Sequence, residues 1–593
     1  MRLCYPILYA WIANQPEHAP LSNINNQACP RREVDFKDLG SLQGNPPRIQ
    51  ERYIEMIDHY KKDTSDTALI EYLVSKSFKT LYNALWALPK AQVYDLHKPD
   101  MLHNIYLGLL KHMMEWVQLF LKKHNRLENF DRAWASTKPY PGLAVPNKAY
   151  RATTQWQGKE MRHLGRIVLG AFAVALWNPS KALQRDFGRS LRCVRSLIDF
   201  HLMAQYTTHT KETLDYLQGY LEDFHKYKDV FLEFRADKRT RKEAKDRTKA
   251  LQGSRSIDRG LAELEKIREA SHFNFIKMHL LSHFRGHVER FGNIPMFSTD
   301  VSELAHRQQI KMAYAASNKV DPTVQILDYH SRRIAIEMRV LNLKDIVVSL
   351  PEHYEGLPSH RESLRGMLEV FKNEDPQRTN ERFLDDEKHS KPKMTTTDGG
   401  PHILSDIADM IKMNRTTLAR AVSEYGQGMS RGEQGLLSLL ECPVRCFKCL
   451  QVPVSIFQKP DSYEIHNIRC TGEALFRKRS TQNDWAWIKV ATTDVWGAFQ
   501  RRLPGLVQAI FKIRDSISTK SYQLCLVELL EAKDRGLPDG SHGLLRVARR
   551  SRQRFWVVNI SSVLGMAHLF ELGQGQWLVN TRIDLRTWNE FNI

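Results

Sequence analysis

The stretch DLHKPDMLHNIYLGLLKHMMEW, residues 95–116, decides how the chain is read. Asp100 and His103 stand three apart just after Pro99, and apolar residues then recur at helical spacing as far as Lys123. An aspartate at a helix start is an N-cap, accepting from the first unpaired backbone N–H groups. The same carboxylate can hold a divalent cation, with an imidazole one turn on to orient it or to meet substrate. Both roles are open from the residues alone.

A second stretch repeats the pairing. FNFIKMHLLSHFRGHVERFGNIPMFSTDVSELAHRQQIKMAYAASNK, residues 273–319, carries Glu303 and His306 on one helix, with Asp300 three residues before Glu303. On a preceding helix His279, His283 and His287 fall at i, i+4 and i+8. These histidines read as satisfied side chains along one packed face, because no Cys or Glu stands beside them at ligand spacing. Zinc is the competing reading. Zinc is also weighed at Cys442, Cys446 and Cys449, with His466 and Cys470 downstream. There the C-x3-C-x2-C spacing is irregular, and buried thiols are the expectation.

Outward from these stretches the chain changes character twice. Residues 1–50 are short apolar pieces broken by Pro and Asn, read as a strand or two and a loop, and residues 51–90 show helical spacing ended by Pro89. From 104 to 295 the pattern is helical, apart from a Pro- and aromatic-rich loop and the run at 235–268, where 12 Lys/Arg face 6 Asp/Glu. That run reads as a solvated helix or linker. Residues 296–350 return to helix, and 351–440 read as a linker with short helices. Beyond Pro443, runs such as VPVSIF, YQLCLVEL and RFWVVNI are short, β-branched and aromatic. About eight of them predict a separate, small β-barrel-like domain over 441–593.

Composition bounds the function. With 42% hydrophobic and 10% aromatic residues, 593 residues can bury several cores. Eight cysteines are too few for a disulfide scaffold, and no apolar run is long enough to span a bilayer, so no membrane partner is expected. The net charge of +20 points to a polyanion, with DNA the expected partner. Arg546, Arg549, Arg550, Arg552 and Arg554, in RVARRSRQR, are the candidate DNA contacts and a candidate nuclear-import cluster.

In order and spacing these segments resemble the Plavaka family of fungal transposons, within the group that includes the CACTA-type elements. YPILYAWIANQPEHAP at 5–20, KPYPGLAVPNKAYRATTQWQGKEMR at 138–162 and GMAHLFELGQGQWLVNTRIDLRTWNEF at 565–591 extend the resemblance along nearly the whole chain. It implies a ribonuclease H-like core, interrupted by a helical insertion and using two aspartates and a glutamate. Asp100 with His103 corresponds to the second aspartate and its histidine, and Glu303, 203 residues on, to the glutamate. The implied chemistry is cleavage and joining of phosphodiesters with two Mg²⁺ or Mn²⁺ ions held by Asp100, Glu303 and the first aspartate. Residues 1–103 would be a partial core, 104–295 the insertion and 296–350 the core's return helices.

Two departures matter. The family usually has Cys-Pro-x-Cys where this chain has Cys29-Pro30-Arg31-Arg32, and none of Asp35, Asp38 or Asp58 stands in the context of the first aspartate, which is expected upstream of Met1. The expectation is therefore a nuclear, DNA-binding transposase remnant that does not cut DNA, with self-association open. The alternatives are a non-enzymatic DNA- or chromatin-binding protein domesticated from a transposase, and an active transposase whose start lies further upstream.

Overall fold

The computed structural model describes residues 8–88, 90–144, 150, 156–234, 273–349, 391–397, 402–425, 433–459, 462–471, 482–490, 501–514, 521–533, 544–551 and 555–592. The charge run at 235–268, residues 351–390 of the expected linker, residue 350 before it, Pro89, Arg552 and Arg554 lie outside these. The chain divides into two compact units, Met1–Phe297 with Phe383–Ile593, and Ser298–Arg382.

In the first unit the N-terminal residues are more helical than their sequence suggests. Helix Gln15–Leu21 is capped by Asn14, which accepts from the backbone of Glu17 at 3.2 Å, and Thr67–Ser75 is capped by Asp66. The apolar pieces expected to form a strand or two make only isolated bridges, such as Trp11 beside His97 and Arg32 beside Pro47. Pro and Asn interrupt them too often for a ladder to propagate. They are fixed instead by a buried network. Arg48 donates to the Cys29 carbonyl at 2.8 Å and to the Tyr53 hydroxyl at 2.8 Å, while Tyr53 and Tyr72 donate to Glu33 at 3.0 and 2.9 Å.

The middle of this unit is a helical layer, including Lys111–Lys123, Gly158–Ala175, Gln184–Ala204 and Lys211–Tyr227. After it comes a sheet of thirteen strands, all antiparallel. Its centre is Arg502–Arg514, between Pro443–Ser455 and Ser521–Ala532. These strands run to 12 or 13 residues, and each has more than two partners along its length. The sheet therefore branches, and it does not close. The expected barrel is corrected to an open, branched sheet. Closure would give each strand one neighbour on each side, and the edge problem is met here by helices.

One face of the sheet shares a continuous core with the helical layer, in which Phe172 and Leu197 join Val527 and Trp577. The other face is covered by Leu404–Met410 and Arg415–Tyr425, through Ile407 and Leu418 on Phe511 and Leu526. Burial on both sides explains the run Leu524 to Leu530, whose residues are all buried without alternation. The strands thus stand on the helices, where the sequence suggested a separate domain. Gly170 marks the close approach, since a Cβ there would fall 2.1 Å from the Phe570 ring.

A buried ion pair also joins helix and C-terminal segment. Asp199 meets Arg582 at 2.9 Å with both side chains 1% exposed, and Trp588 donates to Asp199 at 3.0 Å. Burial opposes ionisation of Asp199, yet Arg582 and Arg195 outweigh it and hold the carboxyl below its usual range.

The second unit is helical. Its described residues form Asp300–His306, a wide π turn at Arg307–Lys311, Met312–Ala316 and the 28-residue helix Pro322–Ser349.

Candidate active site and metal centre

Asp100 is 2% exposed and does two things at once. Its carboxylate caps the helix that follows, accepting from the backbone of Leu102 at 3.1 Å and of His103 at 2.9 Å. It also meets His103 Nδ1 at 2.7 Å. An ionised carboxylate can only accept, so Nδ1 is the protonated ring nitrogen, and the ring's orientation is set by Asp100. Asp100 is therefore at once the N-cap of the helix and the partner that orients His103.

The helix begins as a π turn, Met101–Leu110, before tightening into Lys111–Lys123. Gly108 makes that possible. Its φ of −98° and ψ of −108° are not helical, and a Cβ there would lie 2.3 Å from the His103 carbonyl oxygen. The missing side chain also admits the segment that carries His279, whose neighbour Lys277 donates to the Leu107 carbonyl at 3.3 Å. Single π turns inside helices recur at functional sites.

A cavity of about 20 Å³ opens beside Asp100, walled by Arg31, Lys98, His18, His97 and His283 among others. Lys98 is 4% exposed, its ammonium donating to the Asp95 carbonyl at 2.7 Å and resting 3.1 Å from the Phe291 ring centre. Burial, with Arg31 close by, brings its pKa down to about 8. Burial also keeps His18 and His97 neutral, pushing both below the usual imidazole value.

Behind this wall lies a second cluster. Cys29 Sγ is 3.1 Å from His283 Nε2, and Cys29, His279 and His283 offer donor atoms all within 4.8 Å of one another, every residue buried. Both ring nitrogens of His279 and of His287 are buried with no hydrogen-bond partner among the described residues. The reading of these histidines as satisfied is therefore corrected. A thiolate and two imidazoles suit Zn²⁺, and the orphaned His279 nitrogens fit a ligand role. Arg32 offers no metal-ligating atom, so among the described residues three protein donors are present and water or another ligand would complete a tetrahedron. Without a cation, burial raises the Cys29 thiol and lowers His279 to about 4.

Residues 1–117 match the Plavaka transposase family. The matched segment contains Cys29, Arg31, Asp100 and His103, which are most of the chemistry just described. Among curated proteins and among solved structures nothing matches the chain.

Beyond the matched segment, Glu303 lies on Asp300–His306 in the second unit and is exposed, its backbone N–H donating to Thr299 at 2.8 Å. The candidate DNA contacts are partly occupied. Arg549 pairs with Glu528 at 3.2 Å, and Arg546 and Arg550 lie over Trp177 and Trp556. Cys442 and Cys446 are buried in the core under the short helices, and Cys470 in the core shared with the helical layer. Cys449 is half-buried near Asn467. Among the described residues these cysteines form no group of three. The gathering of Cys29 with His279 and His283 was missed because more than two hundred residues separate the donors. The signal was a lone Cys-Pro and histidines at i, i+4.

Proposed function

We propose that this chain is a transposase-derived DNA-binding protein, with Asp100 and His103 as the phosphodiester-facing pair of a ribonuclease H-like core. The observation that carries this is the pairing of buried Asp100 with half-buried His103 inside the segment that matches Plavaka transposases. The +20 charge supports DNA as partner and the nucleus as its compartment. Bound Mg²⁺ or Mn²⁺ would activate the attacking oxygen and neutralise the leaving one. Asp100 would be a carboxylate ligand of the metal, and His103, oriented by Asp100, would meet the scissile phosphate. The exposed Arg549 would add a phosphate contact, with Arg546 and Arg550 beside it.

Binding without cutting is the activity proposed. Both oxygens of Asp100 already accept hydrogen bonds, so a metal must compete for their remaining lone pairs. By resemblance two carboxylates are assigned where the family's chemistry uses three. The test is labelled duplex DNA titrated with the full chain over a salt series, then incubated with Mg²⁺ or Mn²⁺. Binding that weakens steeply with salt and leaves the DNA intact is expected. No binding at low salt removes DNA as partner. Nicking lost in Asp100→Ala or Glu303→Ala shows that a complete catalytic set is present.

A further inference from the structure

We infer that Arg31 is a phosphate-binding residue of the Asp100 cavity, taking one non-bridging oxygen of the DNA backbone. The inference rests on the proposed DNA-binding function and names a residue that function had not used.

Two successive arginines follow Pro30, and the fold treats them differently. The backbone N–H groups of Arg31 and Arg32 donate to the Cys29 sulfur at 3.4 and 3.3 Å, and the Arg31 carbonyl accepts from Arg48 at 2.9 Å. The turn is thus held from both sides. Arg32 is exposed and donates to the Asn45 carbonyl. Arg31 instead walls the Asp100 cavity, and its Nη1 is buried with no hydrogen-bond partner among the described residues.

An unpaired buried guanidinium nitrogen is costly, and such groups in folded proteins normally have partners. Neighbouring charges are otherwise engaged. Asp95 binds Arg290 through both oxygens at 2.9 and 2.7 Å, and the Lys98 ammonium donates to the Asp95 carbonyl. The cavity, about 20 Å³, holds one oxygen-sized atom and no whole nucleotide. A phosphate outside can reach in with a single oxygen, which Arg31 would meet with a charge-assisted N–H donor. Asp100 on the same wall repels a bare anion, so the contact is expected to strengthen with Mg²⁺ present.

The experiment measures duplex DNA binding by the full chain against salt, with and without Mg²⁺, for the unaltered protein, Arg31→Gln and Arg31→Lys. Melting curves verify each variant's fold. Loss of one phosphate contact should weaken Arg31→Gln roughly tenfold at low salt. It should also make the log–log salt slope shallower by about 0.9. Arg31→Lys should recover the slope, because it restores the charge, but only part of the affinity. An unchanged slope in folded Arg31→Gln overturns the inference while DNA binding stands. If Arg31→Gln does not fold, a low-salt affinity in folded Arg31→Lys equal to that of the unaltered protein overturns it. Absence of binding by the unaltered protein instead overturns the proposed function itself.

Discussion

The two cysteine clusters of this chain invert what their spacing suggests. Cys442, Cys446 and Cys449 lie within eight residues, yet among the described residues they form no group of three ligands. Cys446 and Cys449 stand on one strand, where side chains alternate between faces, so an odd separation turns them apart. Cys29 and His283 are 254 residues apart and stand 3.1 Å from each other. His279 joins them because i and i+4 share a helical face. Nearness in sequence makes a ligand set only when its spacing suits the period of the backbone that carries it.

The largest expected effect tests the convergent cluster directly. The purified chain should hold about one zinc, and Cys29→Ala or His283→Ala should lose it. If free zinc is a thousandfold above its dissociation constant, metal binding stabilises by about 4 kcal/mol, and that increment should vanish in the variants. Metal analysis with melting in the presence and absence of chelator measures both. Retention of zinc in Cys29→Ala would sink the assignment.

Next comes the backbone that lets the cluster assemble. Gly108→Ala sets a Cβ against the His103 carbonyl and crowds the Lys277 side chain beside His279. A loss of about 3 kcal/mol is expected, together with weaker zinc binding. Urea unfolding of Gly108→Ala checks this, and a cost under about 0.5 kcal/mol would mean that the π turn relaxes freely.

Buried histidines without a thiol sharpen the contrast. Burial brings His201 down to about 3 and His568 to about 4. Their folded values lie below the unfolded one, near 6.5, so the unfolded chain takes up the protons as pH falls. Stability is complete above about pH 6.5 and drains away toward pH 3–4, by about 1.4 kcal/mol per histidine at pH 5.5. Urea unfolding at pH 7 and 5.5 should show this loss with or without zinc, and His201→Gln should flatten it. A pH-independent midpoint contradicts it.

The smallest effect belongs to the dispersed cluster. Cys449→Ser should leave zinc content unchanged and alter stability by no more than about 0.5 kcal/mol. Loss of metal in this variant would move the site to the strands.

Periodicity alone made the broad plan legible. Residues 101–123 declare a helix through apolar spacing, and runs such as YQLCLVEL declare strands. Asp100 and His103 were legible because they are three residues apart on one helix, where local geometry brings side chains together. Long-range meetings were not. Whether the sheet closes depends on which strands pair along their lengths, and hydrogen bonds between distant segments decide that. The partner of Cys29 depends on a helix returning after more than two hundred residues, and the unpaired nitrogen of Arg31 on where a turn is clamped. Local spacing fixes what a segment becomes. Only packing fixes which distant polar groups it must satisfy, and the site is made of those.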